Sequence, residues 1–178
     1  MERNIARVLI TQDQIARRVK EMGAEIAACY PPDEALTIVT ILSGSIVFFS
    51  DLIRQLPMKM HIGLVTVSSY LGATTRSKGA TLLRGLDVDV RGHHVLIVDD
   101  ILDTGNTLRI VQAVMREKEV KSLRTAVLLR KAAKAPPDVP AEFVGFDIGD
   151  EFVVGYGLDY NNQYRNLPHV AVLKPEAY

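Results

Sequence analysis

The sequence predicts an α/β protein: an open parallel sheet flanked by helices, with a small C-terminal hood. Three observations predict it. Residues 36–42 (LTIVTIL) and 95–98 (VLIV) are rich in β-branched residues and read as buried strands, the latter on both faces, and 61–67 (HIGLVTV) reads as a third apolar strand. Helical-period patterns at 11–28, 46–56 and 108–117 alternate with them. Small-residue loops, Ser43-Gly44-Ser45 and Asp103 to Thr107, join strand to helix. Strands alternate with helices through residue 131, the pattern of parallel strands joined by right-handed crossovers.

Each element has its own warrant. Thr11-Gln12-Asp13-Gln14 has the form of a capping box, and Ile15, Val19, Met22 and Ile26 then recur at helical spacing. Tyr30-Pro31-Pro32 ends that helix; Cys29, in an Ala-rich stretch, reads as a small packed side chain without a catalytic role. After strand 36–42, the Ser43-Gly44-Ser45 loop is either a plain turn with Ser45 as N-cap or a backbone N–H cradle for an anion. Helix 46–56 is stopped by Pro57. Strand 61–67 leads to Ser68-Ser69-Tyr70, and residues 70–79 are polar, glycine-flanked and without periodicity, hence functional or mobile. Residues 80–86 suit a strand leading back, and 89–92 a turn. The central strand and helix follow. Strand 123–129 then ends in Arg130-Lys131, and 132–140 is a proline-containing loop. Short strands are expected at 143–148, 153–156 and 170–173. A single domain with its core at about 11–140 and a hood mainly from 141–178 follows.

Composition narrows the class. The 178 residues suffice for one domain with a sizeable core; 48% are apolar and 24% charged. Formal net charge is zero, so neither nucleic acid nor an anionic membrane is an expected partner. One cysteine allows no disulfide within the chain and fits a reducing cytoplasm. No apolar run approaches a membrane span, and the start MERNIAR has no signal-peptide core. His61, His93, His94 and His169 show no metal-ligand spacing.

The chemistry concentrates in residues 94–107, HVLIVDDILDTGNT. Two acids, Asp99 and Asp100, follow the apolar run, and a small-residue loop then enters a helix. Backbone N–H groups of Thr104, Gly105, Asn106 and Thr107 can form an anion nest, reinforced by the helix amino end. Asp99 and Asp100 cannot face that anion without a cation or sugar hydroxyls to receive them. A ligand carrying both phosphate and ribose satisfies both demands. Receiver domains of signalling relays also carry VLIVDD, but at their amino terminus, whereas here 94 residues precede Val95. Asp147, the candidate acceptor, has no lysine strand at a proper distance beyond it.

VLIVDDILDTGNT resembles the phosphoribosyl-diphosphate signature of type I phosphoribosyltransferases. FVGFDIGDEFVVGYGLDYNNQYRNLPHV resembles the purine-side segment of hypoxanthine-guanine phosphoribosyltransferases; with Ser69-Tyr70, the likeness runs from about 36 to 173. The resemblance implies transfer of a 5-phosphoribosyl group from its 1-diphosphate to a 6-oxopurine, with Mg²⁺ as cofactor. It implies that Ser43, Gly44, Ser69, Tyr70, Asp99, Asp100, Asp103, Thr104, Gly105, Asn106, Thr107 and Arg165 bind the phosphoribosyl diphosphate. Asp103 would exchange a proton at purine N7. Phe152 would stack on the base, Lys131 would donate to O6, and Val153 would offer backbone groups. Asp159 would lie on the purine side and hold the metal, beside Asp99 and Asp100. Without the resemblance, Phe152 reads as core and Lys131 as a solvated cation. The family often has Lys-Gly where this chain has Ser43-Gly44, which leaves the diphosphate to backbone N–H groups. The 70–79 loop would close over the site. Dimers or tetramers are implied. A xanthine-preferring enzyme and an RNA-binding regulator on the same fold are the alternatives.

Overall fold

The computed structural model describes residues 2–31, 33–69, 81–84, 86 and 88–177. The 70–79 loop and Tyr70 therefore lie outside the described residues, as does the Ser69 side chain.

A short 3₁₀ turn, Glu2–Asn4, leads into β1 (Ile5–Ile10) and α1 (Gln12–Ala27). The capping box forms: the Gln14 amide donates to Thr11 Oγ1, and the Gln14 side chain accepts from the Thr11 amide at 2.8 Å. The apolar stripe Ile15, Val19, Met22 and Ile26 is buried. β2 (Leu36–Ile41) is buried at every position. α2 (Ile46–Ile53) follows, then β3 (Met60–Ser69), β4 (Thr81–Arg84), β5 (His94–Leu102) and α3 (Asn106–Glu117). β6 (Ser122–Lys131), β7 (Phe143–Ile148), β8 (Val153–Val154) and β9 (Val170–Leu173) complete the strands.

The main sheet has the order β4-β3-β2-β5-β6-β7. Five strands are parallel, and β4 alone runs antiparallel, against β3. Successive residues of a strand face opposite sides, so Ile38, Leu96, Val98 and Leu128 enter a core shared with α1 and α2. Val39, Val95, Ile97 and Val127 enter a second core, beneath Leu108, Val111 and Met115 of α3. Full burial of each such side chain contributes about 1.5–3 kcal/mol. The chain leaves β2 toward β3 through α2, and leaves β5 toward β6 through α3. The crevice between the carboxyl ends of β2 and β5 is therefore the switch point of the sheet, where ligands of open α/β folds bind.

Several expectations need correction. β5 does not end before the acids: it continues through Asp99 and Asp100 to Leu102, because Ile101 and Leu102 pair with Leu129 and Arg130 of β6. β7 belongs to the main sheet, not to the hood. It follows β6 through the 132–142 segment without a crossover helix; its cover is α1, tied down by Arg18, which donates to the Val144 and Gly145 carbonyls. The hood is a separate antiparallel sheet, β1-β9-β8, whose outer strand comes from the amino end of the chain. α2 stops at Ile53, short of Leu56. Ser45 occupies the N-cap of α2 as expected, but its hydroxyl makes no capping bond; it bonds the Ile41 carbonyl and Thr40 Oγ1 instead. Cys29 lies beyond α1 and is exposed rather than packed.

Candidate active site

The site grows from the carboxyl end of β5. β2 pairs with β5 only as far as Thr40 and Val98, so the strands part just where the acids begin. Asp99 is 6% exposed and accepts the Asp100 amide on Oδ1 at 3.0 Å. Burial, then the neighbouring Asp100 charge, pushes the Asp99 carboxyl well above the ordinary carboxylate range. Burial raises Asp100 as well, against the pull of nearby Arg165. The 42–45 turn closes over this pair, and the Leu42–Ser43 peptide is cis. Gly44 is pressed onto Asp100: a Cβ there would lie 1.7 Å from Asp100 Oδ2.

The loop after β5 turns into α3 through Gly105, whose φ of 73° and ψ of 3° place it in the left-handed region that suits glycine. A side chain at Gly105 would also meet Pro136 Cγ at 2.8 Å, so the 132–142 segment packs against the turn. Asp103 does not cap the helix, since Gly105 occupies the N-cap. The α3 amino end, with first-turn N–H groups that no helical carbonyl can reach, opens on a cavity of about 300 Å³. Gly44, Asp99, Asp100 and the whole Asp103 to Leu108 stretch line it. Ser43 is exposed beside it and is not among the lining residues.

A second cavity of about 250 Å³ adjoins the first, with Asp100, Ile101 and Asp103 lining both. Its other walls are Lys131, Phe152, Val153, Leu158 and Asp159. Lys131 ends β6 and is 8% exposed, so it is not a solvated cation. Its Nζ lies 3.0 Å from Asp103 Oδ2 and 3.2 Å from Asp150 Oδ1; Lys134 shares Asp150 at 2.6 Å. Asp103 Oδ1 is buried without a hydrogen-bond partner. Phe152 is 37% exposed rather than core, with its ring edge-on to Tyr160 at 5.6 Å. Arg165 does not line either cavity. It donates from Nη1 to the Gly157 carbonyl at 2.7 Å, and Nη2 sits 2.8 Å from Asp159 Oδ1. Asp159 Oδ2 accepts the Asn162 amide at 2.7 Å. Arg165 itself borders a third cavity, between α1, α2 and the hood.

A helix amino end beside an acid pair, abutting a second cavity with one buried ammonium, sits at the switch point of the sheet. Residues 10–161 match the model of the phosphoribosyl transferase domain. The chain belongs to this phosphoribosyltransferase family. It is 40% identical over 178 residues to a hypoxanthine-guanine phosphoribosyltransferase of Bacillus subtilis, covering 100% of this chain and 98% of the relative. A Staphylococcus epidermidis protein of the same name is 41% identical, at 100% and 99% coverage. The crystal structure of a Staphylococcus aureus hypoxanthine phosphoribosyltransferase superposes with a TM-score of 0.92 at 41% identity, covering 100% of this chain and 96% of that one.

Within this phosphoribosyltransferase fold, three residues at or behind the second cavity escape the sequence reading. Ile101 and Leu158 line the second cavity but look like ordinary apolar positions. Asp150 holds Lys131 from 19 residues away, a partnership that only the pairing of β6 with β7 creates.

Proposed function

We propose that this phosphoribosyltransferase transfers the 5-phosphoribosyl group of 5-phosphoribosyl 1-diphosphate to N9 of hypoxanthine or guanine, giving the nucleoside monophosphate and diphosphate. One observation carries the reading: two contiguous cavities, a phosphate nest and a base slot, share the Asp100–Asp103 wall. The Thr104 to Thr107 amides and the α3 amino end hold the 5′-phosphate. Asp99 and Asp100 face the ribose hydroxyls. The base lies between Phe152 and the opposite wall, with Val153 backbone at its edge. Lys131 has three donors; two reach Asp103 and Asp150, and the third serves O6. Asp103 Oδ1, the orphaned acceptor, takes the proton from N7 as the bond to N9 forms. Ser43 and Gly44 serve the leaving diphosphate; the roles expected of Ser69, Tyr70 and the 70–79 loop, diphosphate binding and exclusion of water, belong to the same proposal and concern groups outside the described residues.

The acid pair fits Mg²⁺. Two hard-oxygen donors, Asp99 buried and Asp100 partly so, both raised chiefly by burial, suit an ion that uses one or two carboxylates together with substrate phosphates. When bound, the ion neutralises charge developing on the departing diphosphate. Asp99 and Asp100 would hold it, and Asp159, balanced by Arg165 at 2.8 Å, would be the third carboxylate available to it. We read residues 1–178 as one catalytic unit, acting in the cytoplasm. No helix among the described residues is long and apolar enough to cross a membrane. A homodimer or homotetramer is supported by exposed Ile46, Ile62 and Leu64, at 48%, 44% and 43%.

Initial rates with the four purines test the reading. Hypoxanthine and guanine are expected as substrates. Adenine, which sets an N–H₂ donor against the Lys131 ammonium, is expected to be used about 10³-fold less well. Adenine turnover equal to that of guanine would overturn the base assignment; a preference for xanthine would redirect it.

A further inference from the structure

The hood contains a turn whose backbone no ordinary sequence adopts. Gly155, Tyr156 and Gly157 have successive φ values of 97°, 50° and 103°. Two of the three are glycines, which enter this region freely; Tyr156 does not. The turn is also wedged. A Cβ on Gly155 would lie 2.1 Å from the His169 carbonyl oxygen, and one on Gly157 would lie 2.1 Å from the Gly44 carbonyl oxygen. Strain of this kind persists only where the surroundings over-determine it.

The surroundings are specific. Tyr156 is buried, and its hydroxyl donates to Asp51 Oδ2 on α2 at 2.5 Å. Burial and the adjoining Asp51 carboxylate push the phenol far above its ordinary range, so it remains a donor at any working pH. Asp51 is in turn paired with Arg54. The Tyr156 amide donates to the Leu167 carbonyl at 2.8 Å, and the Gly157 amide to the Arg165 carbonyl at 3.0 Å. The turn serves both sides of the site. Its Gly157 carbonyl seats the Arg165 guanidinium, and its Gly157 backbone abuts Gly44, which itself lies against Asp100. Tyr156 and Asp51 line neither the phosphate nest nor the base slot, so any effect of theirs passes through these neighbours.

We propose that Tyr156 and Asp51 are positioning residues for the diphosphate: their hydrogen bond holds the 155–157 turn in its left-handed form, and thereby fixes Arg165 and the Gly44 loop at one spacing. The inference rests on the reading that Arg165 and Gly44 serve the diphosphate. A strut that merely stabilised the hood would lower the melting temperature and leave both Michaelis constants alone.

The test uses the full chain, with steady-state kinetics in both substrates and thermal unfolding. Tyr156→Phe keeps the ring and removes the donor. Its KM for phosphoribosyl diphosphate is expected to rise about five- to ten-fold, a part of what one hydrogen bond to a charged group is worth, while kcat and the hypoxanthine KM stay within about two-fold. Asp51→Ala should match it in the diphosphate KM, and the double variant should be no worse than either single, because the same Tyr156–Asp51 bond is absent in all three and the Arg54 pair also lost with Asp51 does not touch the turn. Asp51→Asn retains an acceptor oxygen and should preserve the diphosphate KM. Arg165→Ala is the reference. If it leaves the diphosphate KM unchanged, the assignment of Arg165 fails. If it raises that KM while Tyr156→Phe only lowers the melting temperature, or raises both Michaelis constants equally, the assignment stands and the positioning role is overturned.

Discussion

Asp99 and Asp100 are the residues whose energetics conflict with folding. Each sits in a buried crevice where its charged form is disfavoured, so each has a higher pKa folded than unfolded. A carboxyl raised on folding binds its proton more tightly in the native state. Stability from this pair is therefore full below the unfolded carboxylate value of about 4 and is lost as pH rises through the raised values. The protein without ligand should be less stable at neutral pH than at mildly acidic pH. Asp99→Asn, which can still accept the Asp100 amide, should raise the melting temperature at pH 7 and flatten this dependence, while reducing transfer activity. Calorimetry across pH checks it; a melting temperature unchanged or lowered by the substitution would show that the charge is already compensated. Asp103 makes a different demand. Asp103→Asn should bind the diphosphate substrate normally but turn over about 10²–10⁴-fold more slowly, because it loses a positioned proton acceptor. Single-turnover rates with equilibrium binding separate the two effects, and an unchanged kcat removes Asp103 from the chemistry.

Among the elements, the α3 amino end is the most exacting. It depends on Gly105 in a left-handed conformation, packed against Pro136, and on Gln112, whose amide donates to Thr125 Oγ1 and the Pro140 carbonyl. The nest is thus braced from behind by the β6–β7 connection. Gly105→Ala should cost about 1–3 kcal/mol of stability, through the left-handed backbone and displacement of Pro136. It should also raise the KM for phosphoribosyl diphosphate more than that for hypoxanthine, since the base slot does not include this turn. Urea denaturation and steady-state kinetics measure both; equal effects on the two Michaelis constants would separate Gly105 from the phosphate site.

The whole molecule is two sheets meeting at one crevice. The main sheet supplies the acids, the Asp103 to Thr107 turn and Lys131; the hood supplies Val153, with Phe152 just before β8 and Asp159 shortly after it. β1 closes the hood by pairing with β9, from Ile5 with Leu173 to Ile10 with Val170, and Ile10 enters the main core. Removing residues 2–10 should therefore lower the melting temperature and raise the KM for hypoxanthine more than that for phosphoribosyl diphosphate. A truncated protein with unchanged base affinity would show that β8 and β9 hold the slot without β1.

Much of this was legible in the residues. The capping box, the doubly buried strands, the acid pair and the Asp103 to Thr107 turn are local patterns, each enforced by backbone geometry or burial within a few residues. Local patterns also mark where the sheet switches direction, because strand, small loop and helix alternate at both β2 and β5. What is not local could not be read. β7 looked like hood because no helix precedes it, yet its cover is α1, more than a hundred residues earlier. β1 is half exposed and carries no strong pattern; only pairing with β9 makes it a strand. Lys131 reads as a surface cation until β6 and β7 align it with Asp150 and β5 sets Asp103 beside it. Tyr156 reads as the end of a 153–156 strand, but β8 stops at Val154 and the chain turns left-handed at 155–157, where α2 offers Asp51. Periodicity and caps are short-range consequences of the chain's own geometry, whereas buried charge pairs and wedged turns exist only once distant segments exclude water from between them.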